Sequence, residues 1–514
     1  MNYDFFKSAS VKVIFLIFTA VFFVSLMLIE IFTEAFFTKN LNKIFFEPEE
    51  NEKVLRIAYS ADFSDLSPIY FNAVNRSILS NVYEPLIKFD PYLQIKSGLA
   101  LKWGVLDDQL TWKFVLRDGV KFHNGEILKS QDISDTIEMI RRSRKSELKA
   151  FIANIDNIEI IDDQIFHFIL KQKDPFFLSK LTTILIFKQD GDDLLGTGFY
   201  KIKSFDPKKV ELQIANESFM DRVNFQELIF QVIENPEDKV KALENKTIDI
   251  VVHLPVSYPE TLVSENKVQV MKFPALETYF LGFDIENSVF KDIRLREAIS
   301  FALDKIQMEA LGGGAVEAAN QFASAGVFGF NPKISLQEYD LNKATVFFRE
   351  VEPLKRIELN LDIPENLSSL GEYIKNQLYK IGFDVSVNLF SNQELLDKIA
   401  KGKSDFYLLG WKHELGDIND FLINIVHTKK DDFGFLNAGY YENKIVDAWI
   451  QTAQATLDDK ERQSLMQNIM KYIVEEDYWG IPLFNMQVLY GVQENIKFQP
   501  RYDGYIVGEE VSML

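Results

Sequence analysis

The chain has no cysteine among its 514 residues. Disulfides, thiolate metal sites, cysteine nucleophiles and thiol-linked lipids are therefore excluded. Histidine is scarce: His123, His167, His253, His413 and His427 are the full set, and no two stand at zinc spacing. Basic residues are outnumbered, with 56 Lys+Arg against 76 Asp+Glu and a formal net charge of -20. A chain this acidic repels phosphate backbones unless it carries a basic stripe, and none is found, so nucleic acid is excluded as a partner. There is no internal repeat and no low-complexity tract, and 24 Gly and 15 Pro are thinly spread. The composition, 47% hydrophobic and 26% charged, rules out collagen, pure coiled coil and wholesale disorder. The length suggests two to four domains at roughly 100–200 residues each, and 45 Phe point to aromatic-rich cores.

One long apolar run is present. Val13 to Ile29 carries no charge over 17 residues, preceded by Lys7 and Lys12 and followed by Glu30 and Glu34. Its Leu, Ile, Phe and Val each favour the bilayer centre by roughly 0.3–0.6 kcal/mol, and the lysines place the N-terminus in the cytoplasm. The run is short for a spanning helix. No clear small-x-small cleavage site follows Ile29, which favours an uncleaved anchor over a signal peptide with a degenerate site. Both readings put the rest of the chain outside the cytoplasmic membrane.

Beyond the leader, strands and helices interleave. Leu55, Ile57 and Tyr59 alternate, as do Trp112, Phe114 and Leu116 before the turn pair Asp118-Gly119, and Val210, Leu212 and Ile214. Leu228–Ile233 reads as a buried strand. Leu295, Ala298, Ile299, Ala302 and Leu303 mark a helix with Asp292 as its cap. Leu370, Tyr373, Ile374, Leu378 and Ile381 mark another, stopped by Gly382, and Phe383–Leu389 then alternates as a strand. A helical stretch from about 443 to 476 breaks near Leu457-Asp458-Asp459. This is the pattern of an α/β protein.

The search for reaction chemistry is nearly empty. His413-Glu414-Leu415-Gly416-Asp417 superficially resembles a zinc-protease motif, but Gly416, Asp417, Asn419 and Asp420 suit a polar loop rather than the helix that motif needs. Gly196-Thr197-Gly198 lacks the third glycine of a dinucleotide fingerprint and leads into a strand. Gly312-Gly313-Gly314 lacks the Gly-Lys-Ser/Thr of a phosphate loop, and there is no G-x-S-x-G elbow. A binding protein fits this better than an enzyme.

Several stretches, in order, carry a resemblance. Leu110–Thr136 contains Leu116-Arg117-Asp118-Gly119-Val120-Lys121-Phe122-His123-Asn124-Gly125 and then Ser130-Gln131-Asp132-Ile133. Gly196-Thr197-Gly198-Phe199-Tyr200, Thr247-Ile248-Asp249-Ile250, Phe290–Asp304, Tyr339–Ala344, Gly410-Trp411 and Ile481-Pro482-Leu483 come after it. Together they resemble the bacterial extracellular solute-binding protein family 5, which includes the oligopeptide-, dipeptide- and nickel-binding components of ABC importers. The likeness runs from about Val54 to Ile496. Beside it, His123 reads as a local hydrogen-bonding residue, and Arg294 and Arg296 as packing or surface charges.

The resemblance implies an α/β, two-lobed type II periplasmic-binding-protein fold with an inserted subdomain, preceded by one N-terminal transmembrane helix. The expected division is a cytoplasmic tail at 1–12, an anchor at 13–33 and a tether at 34–53. Lobe I then takes 54–88, 190–276 and 486–514, with its inserted subdomain at 89–189, and lobe II takes 277–485. The implied function is to bind a peptide or other small solute between the lobes and pass it to ABC permease subunits, as a membrane-tethered monomer with no cofactor, no metal and no catalysis. A permease-independent sensor or chaperone-like receptor, and a binder of nickel chelates or sugars, are the alternatives. In peptide-binding members an Asp three positions after the Trp of the "GW" pair meets the peptide's amino group. Here that position is Glu414, which keeps the charge and reaches one methylene further, or else is a solvated loop acid. Trp411 walls the cleft or packs in a core, and Tyr279 and Asn485 lie near the expected lobe crossovers. The acid-then-Pro that often comes next becomes Asp417-Ile418.

N-terminal sequencing of the mature protein should begin near Met1; a start near residues 35–50 contradicts the uncleaved anchor.

Overall fold

A computed structural model describes residues 53–514 apart from 257, 259–267, 287–288, 353 and 431–432. From Leu55 to Leu514 the chain forms one unit. The expected anchor at 13–33, with its tail and most of its tether, lies outside the described residues. Among the described residues no helix is long and apolar enough to cross a membrane.

An 11-stranded sheet is the frame. Its order is Tyr200–Asp206, Lys209–Ile214, Glu227–Val232, Val54–Tyr59, Ile250–Val252, Gly480–Gln493, Val268–Phe283, Phe406–Lys412, Ile357–Pro364 and Phe383–Phe390, with Val316–Ala318 also pairing Gly480–Gln493. The alternating segments at 55–59, 210–214 and 383–389 are thus strands of one sheet. Val54–Tyr59 runs parallel to Ile250–Val252, and Ile357–Pro364 runs parallel to both its neighbours. Two strands are far longer than the rest, Val268–Phe283 and Gly480–Gln493, and they pair antiparallel through nearly their whole length.

Different cores lie on the two ends of that pair. On one side Leu55, Ile57, Val210, Leu212, Leu228, Phe230 and Val492 share a cluster. On the other, Leu281, Phe283, Leu361, Val385, Phe406 and Ile481 pack under helices Ile293–Ala302, Leu341–Val351 and Ser368–Ile381. The helix patterning explains this. Asp292 caps the first of these helices by accepting the Arg294 amide, and Gly382, at φ 131, ends the last. A further cluster under Lys444–Ala455 and Asp459–Lys471 gathers Phe280, Phe322, Phe421 and Trp479, with ring centroids 5.3–5.7 Å apart. The break between those two helices falls at the expected position, where Asp458 caps the second.

A separate four-stranded sheet, ordered Ala100–Val105, Thr111–Leu116, Ile165–Leu170 and Ile155–Ile160, packs with helix Ser130–Arg142 over its own core. Phe114, Phe166, Phe168 and Phe177 interlock there at 5.3–5.6 Å. The short antiparallel pair Glu84–Pro85 and Leu185–Ile186 brings the two ends of this insertion together.

The Gly196-Thr197-Gly198 turn locks the insertion to the main sheet. His123 donates its amide to the Gly196 carbonyl, and its ring pairs with the Gly198 carbonyl at 3.0 Å. The two glycines exist for close approach: a Cβ on Gly196 would strike the Val82 carbonyl oxygen, and one on Gly198 would meet the Asn81 carbonyl oxygen at 2.5 Å. Their neighbours are backbone and cannot rotate away. Gly196→Ala and Gly198→Ala should each lower stability by about 1–3 kcal/mol in urea denaturation. Gly104→Ala, where nothing lies within 4 Å of the added carbon, should stay within about 0.5 kcal/mol of wild type.

Candidate functional site

The antiparallel register of the two long strands breaks near its middle. Pro274 pairs with Gln487 and Thr278 with Asn485, so one strand carries two extra residues there. Such a bulge bends a strand and re-aims the residues beyond it. Within it Leu276 adopts φ 54, a left-handed backbone that a leucine takes only when its surroundings enforce it. Its side chain is buried with Phe280 in the aromatic cluster, and its carbonyl accepts the amide of His413 at 3.0 Å. The bulge therefore holds the first residue after strand Phe406–Lys412, and with it the loop that carries Glu414.

That loop is built from buried polar groups. His413 is fully buried, and its Nε2 pairs with the Phe322 carbonyl at 2.9 Å. Asp417 accepts Arg462 Nη1 at 2.7 Å and the Asn419 amide at 2.9 Å, and both partners of the ion pair are close to fully buried. Burial pushes the Asp417 carboxyl up, and Arg462 opposes that shift. The Gly416 carbonyl accepts the Phe328 amide, and the Ile418 amide donates to the Phe328 carbonyl. The stretch is a polar loop, as expected, and not the helix of a zinc-protease motif. Its ends are buried and tied down, and Glu414 is its partly exposed tip, 3.0 Å from Lys412.

Glu414 faces a cavity of about 920 Å³, counting space open to solvent. Its other walls come from 76–89, 182–185, 198–200 and 501–510, all on the far side of the two long strands. Among its lining residues Glu414 is the only one from the stretch between those strands. The C-terminal wall is a charge network: Arg501 meets Asp503 at 2.6 Å and Glu510 at 2.9 Å, and Lys88 meets Glu509 at 2.9 Å. Loss of solvent around half-buried Glu84 pushes its carboxyl up, while the Thr197 hydroxyl donates to it at 2.9 Å. Tyr505 is also pushed up by burial, with the charges of Arg76 and Glu414 acting on it in opposite directions.

The other three residues singled out from the sequence do not line this cavity. Tyr279 stacks on Phe484, centroids 5.0 Å apart, and its hydroxyl donates to Glu277. Trp411 donates Nε1 to Asp420 at 3.2 Å and sets its edge against Phe421. Asn485 is buried and accepts the Thr278 hydroxyl at 2.7 Å. They are nonetheless gathered at one place, because Thr278 pairs in register with both Trp411 and Asn485, and Tyr279 with Gly410. That place is the strand crossing beside the bulge. Sequence reasoning missed Arg76, Glu84, Arg501 and Tyr505. No motif marks them; only the buried charge on short segments far apart in the chain could have drawn attention.

Two lobes with separate cores, joined by two long strands and bordering one cavity, define a solute-binding protein. The family model "Bacterial extracellular solute-binding proteins, family 5 Middle" matches residues 94–433, and the chain belongs to that family. Its sequence is 24% identical over 403 residues to the Escherichia coli K12 "Probable D,D-dipeptide-binding periplasmic protein DdpA", covering 74% of this chain and 78% of that one. The fold is similar to that of HbpA2 from Haemophilus parasuis, with a TM-score of 0.81 at 18% identity, covering 90% of this chain and 100% of that one. It is also similar to the Helicobacter pylori periplasmic binding protein DppA in complex with the peptide STSA, with a TM-score of 0.70 at 21% identity, covering 90% and 98%. The matched relatives are named as binding proteins, not enzymes.

Breaking a buried ion pair by removing one partner costs about 3–5 kcal/mol. Arg462→Met should therefore destabilise the protein by that much in chemical denaturation, because it strands Asp417 beneath the Glu414 loop.

Proposed function

We propose that this protein captures peptides in the cavity that Glu414 faces and delivers them to the permease of an ABC importer. The observation that carries this reading is the position of Glu414. It reaches from the lobe carrying strand Phe406–Lys412 into a cavity otherwise walled by the other lobe. A ligand held there touches both lobes, so it binds the closed arrangement better than the open one, and that difference drives closure. Shifting an equilibrium from 1:99 to 99:1 takes about 5.5 kcal/mol of such preference.

In this reading Glu414 anchors the peptide's ammonium group, displacing Lys412 from its side. The remaining contacts are backbone hydrogen bonds to an extended peptide, a mode that tolerates varied side chains. Tyr279, Trp411 and Asn485 act at the strand crossing, holding the geometry from which Glu414 projects. The lobes divide at 276/277 and 485/486, where the register breaks, and the insertion occupies 89–189. Residues 13–33 tether the receptor to the membrane, with the binding domain outside the cytoplasm. Two features support the reading: the family description names extracellular solute binding, and a structural neighbour is described as holding a peptide. The ligand leaves chemically unchanged.

Glu414→Gln should weaken peptide binding at least tenfold by titration calorimetry. Unchanged affinity would remove Glu414 from the site.

A further inference from the structure

Arg76 plays no part in the reading above, yet its surroundings are unlike those of any other buried arginine in the described residues. It sits in helix Ala73–Leu79 and is 1% exposed, and none of its three guanidinium nitrogens has a hydrogen-bond partner among the described residues. It borders the same cavity as Glu414. The Phe71 ring lies 5.3 Å from its guanidinium carbon, and the group acting on its charge is the Tyr505 phenol, which is not an acid at neutral pH.

An unpaired buried guanidinium is costly, because it gives up water and receives nothing in return. The other buried arginines avoid this. Arg296 donates to the Tyr478, Phe290 and Asp477 carbonyls, Arg462 pairs with Asp417, and Arg501 pairs with Asp503 and Glu510. Neither can Arg76 borrow an acid from the cavity wall. Asp503 and Glu510 are taken by Arg501, Glu509 by Lys88, and Glu84 is engaged by Thr197. Its helix is also fixed in place. The Ser77 hydroxyl receives the Tyr59 hydroxyl and the Ile506 amide, and Asn81 binds the Ile506 carbonyl and the Gly508 amide.

We infer that Arg76 is the anchor of an anion subsite that receives a carboxylate of the bound ligand. A guanidinium fork suits a carboxylate because two parallel N–H donors match its two oxygens. This rests on the cavity being the ligand site and sharpens it: the ligand is dipolar, with its ammonium toward Glu414 and its carboxylate toward Arg76. The carboxylate comes from the peptide's C-terminus or from an acidic side chain.

The test is calorimetry on the full chain with pools of peptides two to five residues long, built from alanine, serine and leucine. The pools are offered with free termini, C-terminally amidated, amidated with one glutamate added, and N-acetylated. Amidation should weaken binding to the wild type at least tenfold. Arg76→Gln should weaken the free acids equally and remove the effect of amidation, while Arg76→Lys should recover part of the loss. If added glutamate rescues the amides, the carboxylate is a side chain; if not, it is the C-terminus, and both results uphold the subsite. Amides that bind wild type as well as the acids do and gain nothing from added glutamate overturn it. So does an Arg76→Gln variant that still distinguishes acids from amides. Those outcomes leave the ammonium site intact if acetylation still abolishes binding. Loss on amidation but not on acetylation removes Glu414 and keeps Arg76. No binding by any free-acid pool overturns both.

Discussion

Everything in this molecule hangs on two antiparallel strands, Val268–Phe283 and Gly480–Gln493, that run from one core into another. Backbone hydrogen bonds make the pair stiff along its length. The register break between Pro274 and Thr278 is where that regularity is interrupted. A β-bulge there concentrates bending and twist at one level of the sheet. Proline removes one ladder donor at that level, and Leu276 is held in a left-handed backbone whose carbonyl grips the Glu414 loop. In the function proposed, the same few residues set both the angle between the lobes and the position of the acid that reaches across. A bend in the strands moves Glu414 relative to the opposite wall, which is the geometric basis for coupling ligand contact to closure in the function proposed.

The treatment of buried charge divides the structure into scaffold and site. Arg296, Arg462 and Arg501 are buried but satisfied, and each ties segments distant in sequence. Asp417 belongs with them: it is engaged by Arg462, under the loop. Arg76 is the exception, a buried cation whose guanidinium meets no hydrogen-bond partner among the described residues. Stability alone favours an apolar side chain at such a place. A protein that keeps the charge has its use for it in the ligand-bound state, where a carboxylate supplies the missing partner.

Much of the fold was legible in the sequence because its signals are local. Asp292, Asp458 and Gly382 announce helix ends through their own side-chain or backbone chemistry, and alternating Val210, Leu212 and Ile214 announce a strand with one buried face. The ordered landmarks pointed to the family, and the structure supplies their physical meaning: Gly196 and Gly198 make room for the backbone at 81–82, and His123 binds their carbonyls. The site was less legible. Glu414 was found through a motif position. Arg76, Glu84 and Tyr505 sit in stretches 76–84 and 505 that meet only after the chain has folded, and what singles out Arg76 is burial without a partner, which no local pattern encodes. Tyr279, Trp411 and Asn485 were drawn from the right neighbourhood, since all three cluster at the crossing, but which way each side chain is engaged depends on the bulge, a two-residue offset invisible in periodicity.

In the function proposed, the two long strands act as a hinge, and ligand closes the lobes about it. Because the chain has no cysteine, two introduced thiols can be spin-labelled without background. Asn245→Cys marks the surface of one lobe and Asp384→Cys the other, both at exposed positions. Pulsed electron–electron double resonance should give a distance distribution that shifts and narrows when saturating peptide is added. A distribution unchanged by a peptide that calorimetry finds bound would contradict the account.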